Sequence, residues 1–102
     1  MDYIKELYID EKLKEPDKVL ASIKRKENVF NVYLICVDGS SRNIVDIMPT
    51  YEAFAERNIK KDITLIGVAF GRRGAYELFR DIVREYLDKG FYLRDFKDKI
   101  LQ

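Results

Sequence analysis

The chain has 102 residues, 47% of them apolar and 13% aromatic, with 19 basic and 18 acidic side chains and a net charge of +1. That length fits one domain with its own core, and the apolar content excludes a disordered chain. The charge balance argues against the large basic footprint of a nucleic-acid binder.

Residues 3–9, Tyr-Ile-Lys-Glu-Leu-Tyr-Ile, alternate loosely and predict a half-buried strand. Residues 10–15 are nearly all charged and read as a loop. Pro16 suits the first turn of a helix, and Val19, Leu20 and Ile23 give residues 16–26 one apolar face. Residues 29–37, rich in β-branched and aromatic types, predict a second strand. Asp38-Gly39, extended by Ser40-Ser41, signals a tight turn, and residues 42–48 return as a partner strand that Pro49 ends. Thr50 is placed to cap a short helix over 51–57, where Tyr51, Phe54 and Ala55 share a face. Residues 62–70 predict a fourth strand, which runs into the turn Gly71-Arg72-Arg73-Gly74. Ala75, Leu78, Phe79, Ile82, Val83, Tyr86 and Leu87 then follow helical spacing. Glu85 and Lys89 add a supporting pair, and Gly90 stands where a left-handed residue closes a helix. In the tail, Phe96 and Ile100 suit a docked final helical turn.

The order β-α-β-β-α-β-α predicts an α+β fold: a ferredoxin-like two-layer sandwich, or a related four-stranded mixed sheet, with a long C-terminal helix. One feature resists the ferredoxin-like order, which puts the second and fourth strands at the sheet edges. Here those strands are the most apolar, and on both faces: Phe30, Val32, Leu34 and Cys36 against Tyr33, Ile35 and Val37. Either they are central with helices on both sides, or a second copy covers an open face. The reading adopted is a sheet that dimerises or is covered by the C-terminal segment.

Histidine is absent and there is one cysteine. Without histidine, Ser-His and Cys-His nucleophiles and most zinc sites are out of reach. A lone cysteine forms no intrachain disulfide and fits a cytoplasmic setting. The start, Met1 to Glu6, has no apolar core of a signal peptide, and no apolar run approaches the ~20 residues of a membrane span. With 36% charged residues and five Asn plus Gln, the profile resembles that of a heat-adapted or AT-rich-genome bacterium.

The Gly71-Arg72-Arg73-Gly74 turn is the strongest ligand hint, because a helix N-terminus offers free N–H groups and two guanidiniums would converge on an anion such as a phosphate or nucleotide. Its spacing matches neither a P-loop nor a dinucleotide fingerprint, and the plainer reading is a solvated turn. Lys24-Arg25-Lys26, Arg42, Arg57 and Lys60-Lys61, interleaved with Tyr33 and Tyr51, sketch a basic face, but Glu27, Glu52 and Glu56 are mixed among them. Asp38 is explained by turn chemistry, and Asp46 by an alternating strand's solvent side. Cys36 between Ile35 and Val37 reads as a small buried hydrophobe. Among the seven tyrosines, Tyr33 and Tyr76, with Ile35, are interface candidates, since tyrosine brings area with a polar tip. No motif is specific enough to name a family. The expectation is a homo-oligomeric interaction or regulatory module with no catalytic residue, cofactor or metal. The alternative is an anion- or nucleotide-binding domain, enzymatic or not, built on Gly71, Arg72, Arg73 and Gly74.

Overall fold

The apolar runs of the second and fourth strands decide the sheet. In the computed structural model, which describes residues 1–59 and 62–102 with the Ile59 side chain left aside, both lie at its centre. The elements are β1 (Asp2–Ile9), α1 (Pro16–Lys24), β2 (Val32–Asp38), β3 (Asp46–Pro49), α2 (Thr50–Ala53), α3 (Glu56–Ile59), β4 (Ile63–Phe70), α4 (Gly71–Asp88) and, after a short 3-10 turn, α5 (Phe96–Ile100). The four-stranded sheet has the order β1-β4-β2-β3. β1 runs parallel to β4, while β2 runs antiparallel to both β4 and β3.

The fold is therefore α+β with a mixed sheet, but its strand order is not the ferredoxin-like one, and it is not two-layered. Side chains of β2 and β4 divide between two core clusters. Val32, Leu34, Cys36, Leu65 and Val68 pack with Ile23 of α1 and Ala53 of α2. Ile35, Val37, Ile66 and Ala69 pack with Ala75 and Ile82 of α4 and with Phe96 and Ile100 of α5. Helices on both faces account for the doubly apolar strands within one chain, so that feature does not call for a second copy. β1 and β3, which carry Lys5, Glu6 and Asp46, take the edges, where polar side chains are tolerated.

The register of β2 against β4 shifts between Ile35 and Cys36. Around this bulge Gly67 lies under α4, where an added Cβ would stand 3.2 Å from Ile35 Cδ1 and 3.4 Å from Leu78 Cδ2. The helix thus sits close to the sheet because position 67 has no side chain.

α4 ends as its sequence implies. Gly90 has φ +88°, its N–H bonds to the Leu87 carbonyl at 2.9 Å, and the Phe91 N–H bonds to the Tyr86 carbonyl at 3.1 Å. These two bonds form a Schellman cap, completed by a ring contact between Tyr86 and Phe91. The Glu85–Lys89 pair is present at 3.9 Å. Phe96 meets Phe79 and Tyr86 edge-on, which docks α5.

Five expectations are corrected. β2 begins at Val32 rather than 29, which leaves Phe30 outside it. Thr50 is the first residue of α2 rather than its cap, and its hydroxyl accepts the Val29 N–H instead. β3 begins at Asp46 rather than 42, because the Asp38 carboxylate and carbonyl accept the Ser40 and Ser41 N–H groups and hold a wider loop than a two-residue hairpin. The helix over 51–57 is two short helices, α2 and α3, separated by Phe54 and Ala55. Leu87 lies half exposed at the end of α4, outside its buried stripe.

Candidate functional site

Where β4 passes into α4, the backbone turns at Gly71, whose φ of +76° belongs to the region glycine tolerates best. Its N–H donates to the Asn31 carbonyl at 2.7 Å, tying the head of α4 to the start of β2. The Gly71-Arg72-Arg73-Gly74 segment is therefore the first turn of α4 itself, not a loop preceding it.

That first turn already has a carboxylate beside it. Asp10 Oδ2 accepts the Phe70 N–H at 3.1 Å and stands 2.8 Å from where a Cβ of residue 74 would be. Its other oxygen accepts the Lys12 N–H at 3.1 Å. Asp10 supplies the negative charge that the helix dipole favours, and Gly74 leaves room for it. Nothing in the charged run 10–15 singles out Asp10 for this role.

The two arginines diverge. Arg72 lies over the Tyr33 ring, 5.6 Å from its centroid, and contact with Tyr33 is the main cause that raises its pKa, with smaller contributions from Tyr76 and Tyr51. Arg73 turns the other way, its Nε 3.1 Å from Glu77 Oε1, and Glu77 also lies 4.0 Å from Lys12. They do not form a common clamp on one anion.

On the Arg72 side the structure gathers a distinct face. Tyr51 is 68% exposed and Tyr76 54%, with Tyr33 half buried between strands and solvent. Tyr76 and Phe79 of α4, with Ile47 of β3 and Ile44 and Val45 just before it, line an adjoining shallow groove of about 350 Å³. Tyr33 and Tyr76, two of the interface candidates, thus both lie near Arg72. Ile35, the third, is fully buried in the cluster with Ala75 and Ile82 of α4, where it is closed off from any partner. Tyr51 joins the face through its place at the start of α2.

The remaining sequence candidates have local explanations. Asp38 is buried, and its Oδ1 accepts the Ser40 N–H at 2.9 Å and the Ser40 hydroxyl at 2.7 Å. Lys97 of α5 donates to the carbonyls of Asp38 and Ser41 at 3.1 and 2.6 Å, pinning that loop. Asp46 accepts the Asn43 amide at 3.0 Å. Asp38 and Asp46 line a polar recess of about 310 Å³ with Arg57 and the buried Asn58. Among the described residues no group of three or more His, Cys, Asp or Glu is placed to hold a metal ion. Burial, and then the charge of Asp46, push the Cys36 thiol up to about 12, which disfavours the nucleophilic thiolate. Arg25 pairs with Glu27, and Arg57 lies 3.7 Å from Glu52, so these parts of the basic face are charge-mixed. Lys60 and Lys61 lie outside the described residues.

No protein-family model, no curated protein and no solved structure matches the chain. Among the described residues, no helix is long and apolar enough to cross a membrane.

Proposed function

We propose that the chain is a non-catalytic binding module that associates with a protein partner, in the first instance a second copy of itself, through the face formed by Arg72, Tyr33, Tyr51 and Tyr76. The observation that carries this reading is the packing of an arginine over a tyrosine beside two strongly exposed tyrosines and an apolar groove. Tyrosine and arginine dominate the energetics of protein interfaces, because each buries much area around a polar tip or planar cation. A twofold copy would find both halves of a cation–π pair on the opposing surface, as an isologous interface requires. In this reading the module is a cytoplasmic homodimer.

Truncation tests the face directly. Tyr76→Ala or Tyr51→Ala is expected to raise the dimer dissociation constant at least fivefold, about 1 kcal/mol, in dilution calorimetry. Leu87→Ala, at the half-exposed far end of α4, serves as the control and should change nothing. Equal effects at all three positions would remove the face from the proposal.

A second reading rests on the exposed guanidiniums at the head of α4: an anion- or nucleotide-binding domain using Arg72 and Arg73. Asp10 weighs against it by placing a carboxylate where the anion would sit. In this reading phosphate raises the melting temperature, Arg72→Glu abolishes the effect, and Asp10→Asn enlarges it.

A further inference from the structure

A second surface is built around Phe30, in the loop between α1 and β2. This side chain is 89% exposed, the highest value among the large hydrophobics described. The exposure does not come from a slack loop. Val29 donates its N–H to the Thr50 hydroxyl at 2.9 Å, Thr50 lies 2.6 Å from the Asn28 side-chain oxygen, and the Asn31 carbonyl accepts the Gly71 N–H at 2.7 Å. Asn31 takes the left-handed conformation, φ +55°, which asparagine tolerates better than most residues. Residues on both sides of Phe30 are thus anchored, and the ring is held out over a recess.

The recess has a volume of about 300 Å³ and is walled by Phe30, Phe70, Val29 and Val32. Such a size and lining suit a small ligand with an apolar body. Among the described residues, the charged side chains of the lining are Lys12 and Lys14 alone. The acidic neighbours Asp10 and Glu11 line a different recess, with Lys12, Glu77 and Asp81. Lys12 borders both recesses and lies 4.0 Å from Glu77, while Lys14 lines the apolar one.

We infer that this recess binds a small amphipathic carboxylate, its apolar or aromatic body between Phe30 and Phe70 and its anionic group at Lys12 and Lys14. Aromatic walls favour a ring through edge and offset stacking. The lysines set the sign of the ligand, and their exposure keeps each ion pair modest. None of Arg72, Tyr33, Tyr51 and Tyr76 lines this recess.

The test compares three probes of one shape, phenylbutyrate, phenylbutanol and phenylbutylamine, by amide chemical-shift titration of the full chain. Phenylbutyrate is expected to bind about fivefold or more tightly than the alcohol, the range that exposed ion pairs supply, with shifts at Lys14, Phe30 and Phe70. Phe30→Ala should weaken all three probes while leaving amide shifts outside the loop unchanged, since the ring is hardly buried. Lys12→Glu/Lys14→Glu should reverse the order in favour of the amine. Equal binding of acid and alcohol, shifts centred on Arg72 instead, or a Phe30→Ala variant that binds like wild type would each overturn the inference.

Discussion

Asp10 and Gly74 show how one residue's missing side chain positions another's charge. Placing a Cβ at residue 74 would displace a carboxylate that holds the Phe70 and Lys12 N–H groups. Alanine is normally preferred to glycine inside a helix by ~0.5–1 kcal/mol. A hydrogen bond to a charged group contributes ~1.5–3 kcal/mol, so the loss should win. Gly74→Ala is expected to destabilise by about 1 kcal/mol in urea titration. In an Asp10→Ala background the same change should become stabilising, because only the propensity remains. A stabilising effect in both backgrounds would mean that the carboxylate moves aside freely.

Cys36 gives a pH signature at the same scale. Its folded pKa is raised from 9.0 to about 12. The unfolded chain therefore releases this proton first. The contribution is complete below about pH 9 and is lost as the pH climbs toward 12. Burial, then the hydrogen bond to Glu85, raises Tyr8 as well and acts in the same direction. The urea midpoint should fall across that alkaline window, and less steeply in Cys36→Val. Identical slopes would show that Cys36 is not the group responsible.

Among the elements, α5 is small but firmly attached. Phe96 is buried against Phe79 and Tyr86, and Ile100 is buried beside it in the same cluster. Phe96→Ala should cost ~3–5 kcal/mol, as large-to-small core changes do, and lower the melting temperature by many degrees. A loss below ~1 kcal/mol would mean that α5 frays from the sheet without consequence. Much at this scale was legible in the sequence. The stripe from Ala75 to Tyr86, the Gly90 cap and the Phe96–Ile100 docking follow from periodicity and glycine chemistry, which are local. β3 was misplaced because Asp38 caps its own loop, so the Asp38-Gly39 signal marks a wider turn. The split of α2 from α3 has no comparable marker.

At the scale of the whole molecule, the apolar content of β2 and β4 offered their central place as one of two readings but left the order β1-β4-β2-β3 open. Strands apolar on both faces belong at the centre, and polar edge strands outside. The tyrosine face was only half legible. Tyr76 stands beside its helix stripe in sequence, but the meeting of Arg72 with Tyr33, and the burial of Ile35, depend on which faces α4 and α5 cover. Phe30 likewise reads as a strand residue until the left-handed Asn31 turns it outward. Such features are set by tertiary contacts that no local pattern encodes.

The association of two copies through the tyrosine face is the central claim, and sedimentation velocity over a wide range of protein concentration tests it most directly. The wild-type chain is expected to pass from monomer to dimer as concentration rises, with Tyr51→Ala/Tyr76→Ala remaining monomeric and folded. A wild-type chain that sediments as a monomer throughout, or a double variant that dimerises equally well, would contradict it.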